Sequence, residues 1–428
     1  MDLFSREQTH CRFCGVKLPE PFLRLGNQPL ANNLCETPYD TVPLAPLSLI
    51  HCAECGLVQL DTVVDPKVLF GHYLYTPAAN TQLVAHFQHA AEELIERYEM
   101  QPGDLVIDIG SNDGTLLRFF KQRGMRVIGI EPARNLAIPT AQSGIPTFNE
   151  YFGPTVVRHI LADYGQAKLI LATNSFAHIN NIHAVVQGVS QLLQANGLFV
   201  VEAPGLLEDI ERGNPDHIYH EHLSFLSVQP MKYLMAKHSM SLIDVQEIPS
   251  HGGSLRFISQ HTGGPYSMTS SITERSLRED PLRDTATFID FNERVMQIRY
   301  DLVEAVRSAG VVAGYGAPAK ATVLITFCNF TARDIAYIVD DSPLKQGMYI
   351  PGTDIRIVSR DQATPVDTMV VFPWDVKDAI LPKLVGLCKQ AIIPIPRIEV
   401  VPVEEAQEGR QESQERVRQP GRHRRATQ

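Results

Sequence analysis

Residues 105–114 read Leu105-Val-Ile-Asp-Ile-Gly-Ser-Asn-Asp-Gly114. The run opens apolar, with β-branched Val106, Ile107 and Ile109, and closes in glycines. It gives way to Thr115-Leu-Leu-Arg-Phe-Phe-Lys-Gln122, whose apolar spacing is helical. A strand, a tight turn and a helix follow from that pattern. Gly110 and Gly114 permit a close backbone approach, and the start of the helix offers unpaired N–H groups. Acidic Asp108 and Asp113 beside the turn argue against a bound phosphate and for a ligand with hydroxyls or positive charge. A second strand, Arg126-Val-Ile-Gly-Ile130, ends at Glu131, where a carboxylate can hold a ribose diol.

The pattern Asp108-x-Gly110-x-x-x-Gly114 with the strand-end Glu131 resembles the cofactor site of class I S-adenosylmethionine-dependent methyltransferases. That resemblance implies cofactor contacts from Asp108, Gly110, Ser111, Asn112, Gly114 and Glu131. A dinucleotide site, or an α/β turn with no ligand, is the alternative that the glycines alone leave open. From about residue 101 to 205 strands and helices alternate, which predicts a mostly parallel sheet covered on both faces. Leu169-Ile-Leu-Ala-Thr-Asn-Ser-Phe-Ala-His178 reads as the fourth strand and its exit, and Gly197-Leu-Phe-Val-Val-Glu-Ala-Pro204 as the fifth. Ligands of such sheets lie beyond the carboxyl ends of the strands, so Asp108, Glu131, Asn174 and His178 are expected to ring one crevice.

A chain of 428 residues calls for two or three domains, and 44% apolar residues supply their cores. The net charge of −10 disfavours nucleic acid or an anionic membrane as partner. No apolar run approaches a membrane span and the N-terminus lacks a signal-peptide core, so a cytoplasmic protein is expected. Five of the seven cysteines precede residue 56, and four of these form the knuckles Cys11-Arg-Phe-Cys14 and Cys52-Ala-Glu-Cys55. Two such knuckles supply the four thiolates of a closed, structural Zn²⁺ site. A pair of redox CxxC sites is the alternative, disfavoured because neither opens a helix in a βαβ context.

Further along, His72-Tyr-Leu-Tyr-Thr-Pro77 carries two tyrosines that read as packing groups with solvent-reaching hydroxyls. Asp216-His-Ile-Tyr-His-Glu-His-Leu-Ser-Phe-Leu-Ser227 concentrates acid/base groups that work near neutral pH. A metal site, or a polar loop of structural histidines, would use the same residue types. His251-Gly-Gly-Ser-Leu-Arg256 is a glycine-rich turn that could cradle a phosphate or simply bend the chain. A second α/β unit begins at Gly310, with Gly314-Tyr-Gly-Ala-Pro-Ala-Lys320 as a nucleotide-type turn and Asp340 closing the next strand. The tail at 403–428 is rich in Glu, Gln and Arg and is expected to be disordered.

In this order the motifs are similar to one family, the bacterial C-methyltransferases that act on nucleotide-linked ketosugars. The match runs from the knuckles through Asp108–Gly114, Tyr219-x-Glu-His222, His251–Arg256 and Gly314–Lys320 to Asp340-Asp-Ser-Pro343. It implies an N-terminal zinc-binding module (1–75), a class I methyltransferase Rossmann-like domain (76–205) and a C-terminal Rossmann-like α/β domain that helps hold the sugar nucleotide (206–402). It further implies methylation of the carbon beside a ketone, at C3 of a 4-keto-deoxysugar on thymidine diphosphate, by α-deprotonation, enolate formation and methyl transfer with inversion at the methyl. His222 would be the general base, with Glu221, Tyr219, His178 and Tyr73 around it, although Tyr75 competes with Tyr73. Ser254, Arg256 and Lys320 would contact the substrate.

Three readings compete with this one. An O- or N-methyltransferase would not need a carbon base. A nicotinamide-dependent oxidoreductase would use the Gly314 turn, and a zinc-ribbon interaction protein with a degenerate methyltransferase domain would bind no cofactor. A monomer is expected, with no nucleic-acid or membrane partner.

Overall fold

A computed structural model of the chain describes residues 4–73 and 75–403. Most of the tail expected to be disordered, residues 404–428, lies outside the described residues. The chain divides into two units, residues 1–32 with 43–294 and residues 33–42 with 295–428. The division falls within the helix Thr285–Ser308.

The first unit opens with β1 (Ser5–Glu7), β2 (Leu23–Pro29), β3 (Leu44–His51), β4 (Val58–Leu60) and β5 (Thr62–Val64). The knuckles repeat one backbone geometry. Gly15 N–H donates to Cys11 O at 2.9 Å and Gly56 N–H to Cys52 O at 2.8 Å, while Cys11 and Cys52 each donate onward to Val16 and Leu57.

The central sheet contains β6 (Leu105–Ile109), β7 (Arg126–Ile130), β8 (Thr147–Phe148), β9 (Ala167–Thr173) and β10 (Leu193–Pro204). β11 (Ser224–Phe225) instead joins β4, and β12 (Met240–Ile248) with β13 (Ser254–His261) completes the large sheet in the order β12-β13-β10-β9-β6-β7-β8. The strands from β8 to β10 pair in parallel, and β13 alone runs against its neighbours.

Strand β6 shows why residues 105–109 occupy the centre. Leu105, Ile107 and Ile109 point into one apolar cluster with Ile128, Ile170 and Val186. Val106 points into the opposite one with Leu117, Phe120 and Leu169. Alternating side chains buried on both faces are what a central parallel strand requires.

The boundary expected at residue 205 must be corrected, because β12 and β13 belong to the central sheet. The alternation of strand and helix stops after β10, and an antiparallel pair then fills the edge. The glycine-rich turn at 251–253 is therefore the bend between β12 and β13.

The second unit contains β14 (Val312–Tyr315), β15 (Tyr337–Val339), β16 (Arg356–Val358), β17 (Val366–Val371), β18 (Cys388–Ile393) and β19 (Glu399–Pro402). They form one sheet in the order β16-β15-β14-β17-β18-β19, antiparallel only at β19. The strand order reverses beside β14, which puts the Gly314–Lys320 turn at a position where such sheets take ligands. Residues 33–42, part of the long loop between the knuckles, belong to this unit, and Cys35 bridges to Tyr349.

Candidate active site

Two carboxylates stand at the carboxyl ends of β6 and β7. Glu131 holds the glycine turn itself, accepting from Asn112 N–H at 2.9 Å on one oxygen and from Ala133 N–H at 2.8 Å on the other. Gly110 has a φ of 78°, and a Cβ there would lie 2.6 Å from Ser175 Cβ, so the turn admits no side chain at that position. Among the described residues, Asp108 Oδ1 and Ser111 Oγ are buried without a partner. Burial, then the charge of Glu131, pushes the Asp108 carboxyl up to about 8. Paired acids and orphaned acceptors at a glycine turn fit a ligand that brings a cation, an amino group and ribose hydroxyls, which S-adenosylmethionine does. Asn174, at φ 54°, lies just past β9, the next residue Ser175 donates to the Ile109 carbonyl at the end of β6, and His178 closes the short turn Phe176–His178.

Asp108→Asn is expected to weaken S-adenosylmethionine binding by about 10- to 100-fold, the worth of a hydrogen bond to a charged group, measurable by calorimetry. The same variant tests the pKa. A carboxyl with a raised folded pKa keeps a proton that the unfolded chain releases, so its contribution to stability is lost as pH rises from about 4 towards 8. The variant's ligand-free Tm should therefore fall less than the wild type's across that window.

The catalytic candidates meet in the segment between Arg212 and β11. His222 Nδ1 lies 2.8 Å from the carbonyl of His217, and Nε2 lies 2.8 Å from the Tyr219 hydroxyl. A carbonyl only accepts, so Nδ1 carries the proton and Nε2 presents a lone pair to Tyr219 O–H. Burial raises the Tyr219 phenol well above its ordinary range and keeps it a donor.

Glu221 accepts from Asn32 at 2.6 Å and from the Tyr73 hydroxyl at 3.1 Å, one on each oxygen. Burial nevertheless raises it to about 7. The His178 ring stacks on Phe70 with centroids 5.6 Å apart and lies 4.9 Å from the His222 ring. Burial lowers it to about 4, so it works as a neutral imidazole.

The other two histidines have structural partners. His217 pairs with Asp209 at 2.8 Å, and buried His220 donates to the carbonyls of Ala45 and Pro46. Tyr75 is 47% exposed, whereas the Tyr73 hydroxyl donates to Glu221.

Sequence reasoning missed Asn32 and Asn135. Asn135 clamps the backbone of Tyr73, accepting its N–H at 3.1 Å and donating to its carbonyl at 2.7 Å. Neither asparagine carries a motif; the only signal for Asn135 is its place four residues after Glu131.

The substrate contacts expected of Arg256 and Ser254 need correction. Arg256 is fully buried on β13, bonded to Glu202 at 3.0 Å and to Glu93 at 2.9 Å, so its charge is spent inside the sheet. Ser254 donates to Ser250 O. In the second unit Lys320 ion-pairs with Asp375 at 2.5 Å and lies over the Trp374 ring.

At the knuckles, Cys11 Sγ lies 3.6 Å from Cys55 Sγ and Cys14 Sγ 3.4 Å from Cys52 Sγ, with all four sulfurs within 4.8 Å of one another. Sulfurs about 2.3 Å from a tetrahedral zinc would be about 3.8 Å apart, so the set fits that ion. All seven cysteines are free thiols. Among the described residues, only these four bring three or more metal-ligating side chains within 4.8 Å of one another.

Three protein-family matches run along most of the chain. Residues 11–70 match a zinc binding domain family, 83–242 a methyltransferase domain family and 249–396 a C-methyltransferase C-terminal domain family. C-methyltransferase NovU of Streptomyces niveus is 34% identical over 408 residues, spanning 92% of this chain and 97% of that relative. Ribosomal RNA small subunit methyltransferase A of Alkaliphilus metalliredigens is 32% identical over only 19% of this chain and 23% of its own length. The solved structure of magnesium protoporphyrin IX methyltransferase from Synechocystis PCC 6803 covers 46% of this chain and 88% of its own, at 12% identity and a TM-score of 0.32. On the full-length match and the three domains, the chain belongs to the C-methyltransferase family, as a class I S-adenosylmethionine-dependent enzyme with a zinc-binding N-terminal module.

Proposed function

We propose that the chain methylates the carbon beside the ketone of a nucleotide-linked sugar, at C3 of a thymidine diphosphate 4-keto-deoxysugar, acting as a cytoplasmic monomer. The sugar class rests on the motif order from Cys11 to Pro343. The chemistry rests on one observation, the hydrogen bonds that hold the His222 ring between the His217 carbonyl and the Tyr219 hydroxyl.

A C–H beside a carbonyl is a weak acid. Breaking it needs a base at the carbon and a donor at the oxygen where charge develops. His222 Nε2 is the base, and its other nitrogen is locked by the His217 carbonyl. The Tyr219 hydroxyl caps Nε2 in the free chain. When a ketone enters, that O–H turns to the carbonyl oxygen, frees Nε2 and stabilises the enolate. Neutral His178 and Tyr73 are the further donors within the same cluster. S-adenosylmethionine supplies the electrophilic methyl group when bound, held by Asp108, Ser111, Asn112, Glu131 and Asn174. In the second unit, Lys320 at the start of the helix Ala319–Phe327 is the ligand proposed for an anionic group.

The test is incubation with methyl-labelled cofactor and a panel of nucleotide-linked 4-ketosugars. Label on a ring carbon supports the reading, whereas label on oxygen or nitrogen transfers the chain to another class of acceptor.

A pH dependence follows from Glu221. Both its oxygens accept hydrogen bonds, so the cluster is built around the carboxylate, while protonation sets in at about 7. Turnover is expected to fall about tenfold per pH unit below that point. Glu221→Gln is neutral at every pH, so this limb should be lost and the rate should stay at its low-pH level throughout. An unchanged limb would assign it to another group.

A further inference from the structure

Arg12 lies between two metal-ligand cysteines, in Cys11-Arg-Phe-Cys14, and it is buried. Nε donates to Asn180 Oδ1 at 3.3 Å and Nη2 to the Leu60 carbonyl at 3.1 Å. Nη1 donates to Gln59 Oε1 at 3.2 Å and to the Leu223 carbonyl at 2.5 Å. Four of the five guanidinium N–H groups are thus used.

Gln59 Oε1 also accepts the backbone N–H of Arg12 at 3.1 Å. Its side chain also hydrogen-bonds the Cys11 thiol.

The acceptors have a common address. Leu223 directly follows His222, and its carbonyl also takes the Leu60 N–H at 3.1 Å. Asn180 stands two residues after His178. One rigid planar cation therefore ties together a zinc knuckle, strand β4, the segment carrying the base and the turn carrying the second histidine.

We propose that Arg12 is a positioning residue through which the zinc module sets the placement of His222 and His178. The metal-bound knuckle fixes where the guanidinium starts, and the planar fork fixes where the two backbone segments end. Lysine cannot substitute, because a single ammonium cannot reach acceptors spread around a guanidinium plane. The proposal rests on the reading of His222 as the base, but its test does not depend on that reading.

The test compares the Arg12→Lys holoenzyme with wild type in zinc content, S-adenosylmethionine affinity, kcat, KM and the nitrogen-15 signals of the His222 ring, assigned by their absence in His222→Asn. The expected result is one zinc per chain and a cofactor Kd within about twofold of wild type. Turnover should be about 10- to 100-fold lower with KM little changed, as a displaced reacting group produces. The His222 ring should move from a single Nδ1–H tautomer to a mixture. Unchanged turnover and an unchanged ring signal with zinc in place overturn the proposal. So does loss of zinc with the ring signal unaltered, because Arg12 would then serve the knuckle alone.

Should Arg12→Lys fail to fold, Asn180→Ala removes one of the four acceptors and leaves the cation buried. A shifted His178 ring signal with zinc retained supports the proposal, and an unmoved signal overturns it. If His222→Asn itself turns over normally, the base reading falls, while the ring signals still decide the role of Arg12.

Discussion

His222→Asn is expected to lower turnover by about 10²–10⁴ while S-adenosylmethionine affinity changes by less than about twofold. The separation follows from where the groups stand. The proposed cofactor contacts come from the ends of β6, β7 and β9, whereas His222 lies on the segment before β11, held by Tyr219 and the His217 carbonyl. Asparagine retains a donor for that carbonyl, so the backbone should stay in place and only the basic nitrogen is lost. Steady-state kinetics with calorimetry on the same preparation checks both halves. A variant with wild-type turnover would leave the carbon without a base. A variant with lost cofactor affinity would show that His222 supports the whole crevice rather than the proton transfer.

The second large effect concerns the metal. Cys52→Ser is expected to abolish stoichiometric zinc, because apparent binding free energies of structural zinc run to about 10–16 kcal/mol and depend on all four thiolates. The loss should propagate beyond the module. Cys52, Phe13 and Leu57 are buried in the same apolar cluster as Ile107 of β6 and Val228 and Met231 of the helix Val228–Lys237. Freed knuckles would expose Phe13 and Leu57 to water, at roughly 1.5–3 kcal/mol for each fully buried side chain. A chelator should therefore lower the wild-type Tm by several degrees. Zinc analysis and thermal melts test this together. A melt indifferent to chelation would mean that the knuckles hold no metal needed by the fold.

How much of this was visible in the sequence depends on how local each signal was. The turn at Gly110–Gly114 and the knuckles at Cys11 and Cys52 were legible, because a positive φ or a pair of thiolates is encoded within a few neighbouring residues. The Tyr219-x-Glu-His222 cluster is legible as a set of acid/base groups, and Tyr73 can be named beside it only through the family resemblance. Nothing local says that residue 73 will meet residue 221.

The same limit explains the failures. Arg256 beside glycines looks like a phosphate ligand, but its partners Glu202 and Glu93 come from strand β10 and the helix Thr81–Arg97, far away in sequence. The sequence pattern leaves β12 and β13 beyond the central domain because an antiparallel edge pair breaks the alternation that identifies a doubly wound sheet. The partition of residues 33–42 into the second unit has no compositional mark at all.

The most direct test of the central claim omits the methyl donor. A thymidine diphosphate 4-ketosugar is incubated with the protein in deuterated water, and the product is read by mass and by nuclear magnetic resonance at each carbon. The account predicts deuterium entering the single carbon that becomes methylated once S-adenosylmethionine is added, at a rate that collapses in His222→Asn. Carbon methylation with no exchange at that carbon, or exchange that persists unchanged in His222→Asn, would contradict deprotonation by His222.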